Sequence, residues 1–78
     1  MTSDYLKEIK KIIEEKTGIE TSEITPDLFF EDDLNLGDME LLEILNELED
    51  KYKADLVDEK DNIETVQDLA DLLSEKIE

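Results

Sequence analysis

The chain has 78 residues, enough for one small domain, and its 25 acidic residues against 8 lysines give a net charge of −17. It contains no cysteine and no histidine, which excludes a disulfide framework, a zinc–thiolate site and a histidine general base. Because so negative a chain is repelled by phosphate backbones and anionic lipid, we expect no nucleic-acid partner and no binding to a membrane surface.

The arrangement of apolar residues favours a folded domain, which we expect to be a monomer. Apolar residues make up 38% of the chain and recur at regular intervals, so we expect a single domain over residues 1–78 rather than disorder. No apolar run approaches the roughly 20 residues of a membrane span, and the first residues lack the apolar core of a signal peptide. We therefore expect no membrane insertion and a cytoplasmic location.

The first predicted helix covers residues 4–17. Its apolar residues follow the three- and four-residue steps of an α-helix, at Leu6, Ile9, Ile12 and Ile13. Ser3 is the expected N-cap, with Asp4 in the first turn, and Gly18 is the expected stop.

Residues 18–37 contain no long periodic run, and turn and cap residues are frequent among them. Apolar residues still punctuate the segment, at Ile19, Ile24, Leu28, Phe29, Phe30, Leu34 and Leu36. A loop of this length is unusual in a compact domain unless it packs on the core or serves function. One helical turn is predicted at Thr25-Pro26-Asp27, with proline at the first helical position.

The second main helix is predicted over residues 39–52, with Asp38 as its N-cap. Its apolar face consists of Met39, Leu42, Leu45, Leu48 and Tyr52, widened by Leu41 and Ile44. Leu45 and Leu48 are expected to point inward. The apolar residues named so far are expected in the core, and Met39 is the exception to watch, because it begins the helix beside a long loop.

A short turn is predicted near residues 58–62, followed by a last helix that begins at Thr65. Asp68, three residues on, completes an approximate capping box with Thr65. The apolar face of this helix consists of Val66, Leu69, Ala70, Leu72, Leu73 and Ile77. These elements predict an all-α fold, a small four-helix bundle of three main helices and one short helix.

Charge is unevenly distributed, since no lysine occurs from residue 17 to residue 50. Four acids in this stretch follow helical spacing and form what we call the acidic ridge: Glu40, Glu43, Glu47 and Asp50. A solvated helix face is the ordinary interpretation of such a run. However, like charges at these spacings cost a helix a few tenths of a kcal/mol per pair, so the ridge also suggests a basic partner surface.

Enzyme chemistry has little support in the sequence. Nothing marks one acid as buried, and there is no phosphate-binding glycine loop and no nucleophile beside a base. The acidic segment 27–38 lacks the alternating ligands and central glycine of a calcium loop. We expect no catalytic residue, no dedicated metal site and no enzymatic activity.

The segment FEDDLNLGDM at residues 30–39, followed by ELLEILNELEDKY, resembles the core of the acyl carrier protein family. That family typically reads F-x-E-D-L-G-x-D-S-L and continues into an acidic amphipathic helix. LKEIKKIIEEKTGI resembles the family's first helix, and IETVQDLADLL resembles its last. The resemblance implies a four-helix bundle with a short third helix. It also implies a module of fatty-acid, polyketide or lipid biosynthesis that carries acyl thioesters on a 4'-phosphopantetheine arm attached to the D-S-L serine.

Asp38 occupies the position of that serine. A carboxylate is a poorer nucleophile than a hydroxyl toward an anionic phosphate, and its product would be a hydrolysable mixed anhydride. We therefore expect no phosphopantetheine cofactor and no acyl thioester on the chain as it stands. One alternative is a non-carrying acidic interaction or regulatory protein, whose Asp38 charge imitates that of the modified form. A carrier with an engineered serine-to-aspartate block is another.

The resemblance also predicts the partner-binding residues. The positions that align with the family's docking surface are Met39, Glu40, Leu42, Glu43, Asn46, Glu49 and Asp50. The expected partners are basic surfaces of enzymes that synthesise or transfer acyl chains, with the apolar residues as anchors and the carboxylates steering association.

Overall fold

A computed structural model describes residues 2–77, with side chains from residue 4 onward. The chain forms three α-helices, α1 (Thr2–Thr17), α2 (Asp38–Tyr52) and α3 (Val66–Ile77), with 3-10 segments at Thr21–Glu23 and Val57–Asn62. Within this range the one β-type contact is an isolated bridge between Phe29 and Thr65. The predicted all-α bundle is confirmed, and Val57–Asn62 is its short third helix.

Helix α1 begins two residues before the predicted start, so Ser3 lies inside the helix and the prediction of an N-cap there is wrong. The predicted stop at Gly18 is confirmed. Its φ of +81° is the left-handed conformation that glycine adopts readily, and its amide donates to the Glu14 carbonyl at 2.8 Å. The Thr17 hydroxyl donates to the Ile13 carbonyl at 2.8 Å, which satisfies another carbonyl of the last turn.

The core is entirely apolar across the described side chains. Leu45 and Leu48 are fully buried, as predicted, and α1 packs against both α2 and α3. The other buried side chains are Tyr5, Ile9, Ile12, Ile13, Ile24, Phe30, Leu34, Leu36, Leu41, Ile44, Leu56, Ile63, Val66, Leu69, Ala70 and Leu73. No helix within residues 2–77 combines the length and the apolar character needed to cross a bilayer.

Three side chains near helix ends differ in burial from a simple periodic pattern. Tyr5 is buried and packs edge-on against Tyr52, with ring centroids 5.6 Å apart. Ile77, predicted on the apolar face of α3, is 39% exposed at the end of that helix. Met39, the residue set apart from the expected core, is 70% exposed.

The segment between α1 and α2 packs on the core. Four of its apolar side chains are buried: Ile24, Phe30, Leu34 and Leu36. Backbone hydrogen bonds join it to the start of α3, from the Phe30 amide to the Glu64 carbonyl at 2.9 Å and from the Val66 amide to the Leu28 carbonyl at 3.0 Å. The loop is thus a fixed part of the fold that leads into α2.

Hydrogen bonds between residues close in sequence form the turn at Thr25 and the start of α3. The turn predicted at Thr25-Pro26-Asp27 is present as one hydrogen-bonded turn, closed by the Leu28 amide on the Thr25 carbonyl at 3.2 Å, and it does not continue into a helix. The 3-10 turn lies earlier, at Thr21–Glu23. The predicted capping box of α3 is confirmed, since the Asp68 amide donates to Thr65 Oγ1 and the Thr65 amide donates to Asp68 Oδ2, both at 3.1 Å.

Candidate functional site

The start of α2 presents Asp38 to solvent. Gly37 is the N-cap residue, with extended backbone, and its carbonyl accepts a 3.0 Å hydrogen bond from the Leu41 amide. Asp38 is therefore the first helical residue, and the prediction that it caps α2 is wrong. Its side chain is 84% exposed, and its charge stabilises the positive end of the helix dipole.

The loop before α2 is held in a tight conformation that fixes where the helix begins. The Asp33 carboxylate accepts a 2.8 Å hydrogen bond from the Phe29 amide, and the Leu36 amide donates to the Phe30 carbonyl at 2.8 Å. Asn35 has a φ of 55°, the left-handed region that asparagine tolerates better than most residues. Because this conformation is built into the loop, Asp38 occupies a defined place at its end.

A lysine of the short 3-10 helix approaches Asp38 from across a cleft. Lys60 Nζ lies 3.5 Å from Asp38 Oδ1, and about a quarter of the lysine side chain is exposed. The cleft beneath this pair has a volume of about 380 Å³. Its apolar floor consists of Phe29, Phe30, Leu36, Leu41 and Ile63, and its rim carries Glu31, Asp32, Asp61 and Glu64.

The predicted docking residues lie along α2 and differ in exposure. Met39 is largely exposed and Leu42 is half-buried. Four polar residues of the set are exposed: Glu40, Glu43, Asn46 and Asp50. The structure thus gives α2 an outer face with an exposed apolar residue at its amino-terminal end and carboxylates beyond it.

Glu49 is engaged within the fold. Its Oε2 accepts hydrogen bonds from the Leu56 amide at 2.7 Å and the Val57 amide at 3.0 Å, at the start of the short 3-10 helix. The side chain is half-buried, and its carboxylate joins α2 to the segment that follows it. A docking role for Glu49 remains a prediction, and its contacts here are structural.

Lysines distant in the chain lie beside the acids of this face, which the sequence pattern did not indicate. Lys16 of α1 lies 3.2 Å from Glu43 Oε1, and the Lys60–Asp38 pair is described above. The lysine-free run from residue 17 to residue 50 describes only the local sequence, so it could not predict pairs that form when helices pack. Phe29 was also missed: it is 41% exposed at the cleft although its neighbour Phe30 is buried.

No group of three or more acidic side chains is placed to hold a metal ion in the part of the chain that the structure describes. Two carboxyl groups outside α2 have lowered pKa values. Hydrogen bonding to Lys51 lowers the pKa of Glu8, and hydrogen bonding to the Thr25 hydroxyl lowers the pKa of Asp27. Neither group suggests an acid–base pair.

Comparison with known proteins identifies the family. Residues 7–73 match the family described as "Phosphopantetheine attachment site". The chain belongs to this family of acyl carrier proteins. An acyl carrier protein of Exiguobacterium sibiricum is 36% identical over 73 residues, which cover 92% of each chain. An acyl carrier protein structure from Enterococcus faecalis superposes with a TM-score of 0.81 at 28% identity and covers 97% of this chain and 98% of that one.

A second relative matches a shorter part of the chain at higher identity. The meromycolate extension acyl carrier protein of Mycobacterium tuberculosis is 51% identical over 51 residues. These residues are 65% of this chain and 44% of the mycobacterial protein, so the match spans less than half of that relative. Family membership makes the chain acyl carrier protein-like, and acyl carrier proteins are carrier proteins, not enzymes.

The start of α2 does not fit a phosphopantetheine arm held through a serine oxygen. The three residues there are Gly37, Asp38 and Met39, none of which has a hydroxyl group. Ser22 lies in the first 3-10 turn and Ser74 lies in α3, so neither begins the acidic helix. The chain therefore has the fold of the family and has no hydroxyl group on residues 37–39, where α2 begins.

Proposed function

We propose that this protein is an acyl carrier protein-like docking module of lipid biosynthesis that does not carry an acyl thioester. The observation that carries the proposal is Asp38: it stands exposed as the first residue of α2, where the family resemblance places the attachment serine. Its charge resembles that of a phosphodiester at the same point. An enzyme that recognises the modified carrier by charge at this position would find that charge permanently present.

The outer face of α2 supplies the docking surface. Exposed Met39 and half-buried Leu42 offer apolar contact, and Glu40, Glu43 and Asp50 surround them with negative charge. Such a face complements a basic enzyme surface, and the charges chiefly raise the association rate. The proposed partners are therefore basic surfaces of enzymes that synthesise or transfer acyl chains.

The first experiment tests whether the chain can be modified. We expect its intact mass to stay unchanged after incubation with coenzyme A and an active phosphopantetheinyl transferase, with an acyl carrier protein that has the attachment serine as positive control. Asp38→Ser alone restores the hydroxyl. Gly37→Asp with Asp38→Ser restores the family's D-S pair, and a Cβ atom added at position 37 makes an ordinary van der Waals contact with Glu40 Oε1, at 3.5 Å.

We expect the double variant to gain the mass of one phosphopantetheine group, and the single variant to gain it less completely. A stable mass gain on the unaltered chain would show that the chain accepts the phosphopantetheine arm and would contradict the proposal. If neither variant is modified while the positive control is, the loss of carrying extends beyond position 38 to the recognised surface.

A second experiment tests the docking face. Glu43→Lys should weaken binding to the phosphopantetheinyl transferase. The difference in affinity should become smaller as salt rises, because salt screens the electrostatic attraction that speeds association. Glu75→Lys is the matched control, since it makes the same charge change at an exposed position of α3. Equal effects of the two reversals would mean that net charge, and not the α2 face, governs binding.

A further inference from the structure

The acidic ridge is partly covered by a cation of the protein itself. Lys16 Nζ lies 3.2 Å from Glu43 Oε1 and 3.7 Å from Glu47 Oε1. These two glutamates stand four residues apart, on neighbouring turns of α2, so one ammonium group bridges both. The glutamate side chains are 58% and 47% exposed, whereas only 25% of the Lys16 side chain is exposed.

Several features of α1 hold Lys16 in this place. It lies in the last turn of the helix, where a positive charge interacts favourably with the helix dipole. Its hydrogen bond to Glu43 raises the pKa of the ammonium group above its usual value. About three quarters of its side-chain surface is covered by neighbouring atoms.

The rest of the ridge is different. Among the described side chains, no lysine forms an ion pair with Glu40 or with Asp50. The ridge therefore has two open ends and a centre that is already neutralised in part. Within the described part of the chain, a basic partner faces carboxylates without a lysine partner at the two ends of the ridge and partly neutralised carboxylates at its centre.

We propose that Lys16 is a specificity-determining residue that competes with basic partners for the centre of the ridge. The proposal rests on the docking function proposed above. A partner cation that reaches Glu40 or Asp50 forms a new ion pair, whereas one that reaches Glu43 or Glu47 meets a carboxylate that Lys16 already contacts through Oε1. Since exchanging one surface pair for another yields little net energy, Lys16 favours partners whose positive charges match the ends of the ridge.

The test compares three single variants in binding to an immobilised phosphopantetheinyl transferase at low salt. Lys16→Gln frees Glu43 and Glu47, and we expect it to tighten binding about two- to fivefold, the range set by one surface ion pair. Lys76→Gln is the matched control: it removes the same charge and also one ion pair, to Glu59, but lies on α3. Lys16→Arg keeps the cation and should bind like the unaltered chain.

A double-mutant cycle locates the effect. In a Glu43→Gln/Glu47→Gln background, Lys16 has lost both partners, so Lys16→Gln should no longer tighten binding beyond the Lys76→Gln control. Circular dichroism and urea unfolding verify that each variant is folded, which we expect because these residues form only surface pairs.

Two outcomes overturn the inference. One leaves the proposed docking function standing, and the other removes that function as well. If Lys16→Gln and Lys76→Gln tighten binding equally, the effect is one of net charge and the docking function stands without a role for Lys16. If the unaltered chain binds the transferase with no dependence on salt or on Glu43, the docking function fails and the inference fails with it.

Discussion

Glu49 has two hydrogen bonds to backbone amides, an unusual role for a carboxylate on a helix that is otherwise acidic along its outer face. The bonds run to the Leu56 and Val57 amides, which begin the short 3-10 helix and have no earlier helical carbonyl to accept them. The carboxylate thus acts as a cap supplied from another element. Leu56, whose amide it holds, is fully buried, so the bond fixes how the chain after α2 returns to the core.

Glu49→Ala should lower the free energy of unfolding by about 1–3 kcal/mol, because it leaves two partly buried amides without an acceptor. Glu49→Gln retains an acceptor oxygen and should cost less. Urea unfolding measures both, with Asp50→Ala as control, since this neighbour is exposed on the same helix. Amide hydrogen exchange at Leu56 and Val57 should accelerate in the alanine variant. Equal costs at positions 49 and 50 would mean that the two bonds contribute no stability.

The start of α2 illustrates the limit of residue-level reasoning. Aspartate is among the preferred N-cap residues, so the sequence favours Asp38 as the cap. The structure places Gly37 there, because the loop closed by Asp33 and Leu36 delivers the chain into helical conformation one residue earlier. Asp38 then points its carboxylate toward Lys60 instead of toward the helix amides.

At the scale of elements, the buried residues of α2 stabilise the fold, and its exposed residues form the proposed docking face. Four residues face the core, namely Leu41, Ile44, Leu45 and Leu48, whereas Met39 and the acidic ridge lie outside it. The two faces share one helix but few residues, with Leu42 at their boundary. Substitutions on one face should therefore leave the other largely unaffected.

Leu48→Ala should lower the free energy of unfolding by roughly 2–5 kcal/mol, since it removes a fully buried side chain and leaves a cavity. Leu42→Ala, on the same helix but half-buried, should cost clearly less and controls for the change in helix propensity. Urea denaturation followed by circular dichroism compares the two. A loss at Leu48 no greater than that at Leu42 is incompatible with the packing described.

The helices were predictable because burial on one side imposes a period of 3.6 residues on the sequence. The capping box at Thr65 was predictable for a similar reason, since its two members are three residues apart. The loop before α2 was not, because its conformation depends on contacts with residues near Glu64. The same holds for the candidate site: Met39 and Asp38 could be found from sequence, whereas Lys16 reaches Glu43 across 27 positions of the chain.

At the scale of the whole molecule, a net charge of −17 is held within extents of 28 × 24 × 19 Å. Four lysines form ion pairs in the described part of the chain, and each joins separate elements: Lys16, Lys51, Lys60 and Lys76. These pairs offset only part of the repulsion, since acids outnumber lysines about threefold. The compact state therefore gathers charges that the unfolded chain keeps further apart.

Added salt should consequently stabilise the protein. The Debye length falls to about 10 Å at 0.1 M ionic strength, well below the dimensions of the domain, so repulsion across the molecule is largely screened there. We expect the urea midpoint at pH 7 to rise as NaCl increases from low concentration to about 0.2 M. The double variant Glu20→Lys/Glu23→Lys, at two exposed acids, provides the control. Each reversal replaces one negative charge with one positive charge, so the two together change the net charge of −17 by four and should flatten the rise. A midpoint that ignores salt in the unaltered chain, or rises equally in the reversed variant, would mean that self-repulsion does not limit the stability of this bundle.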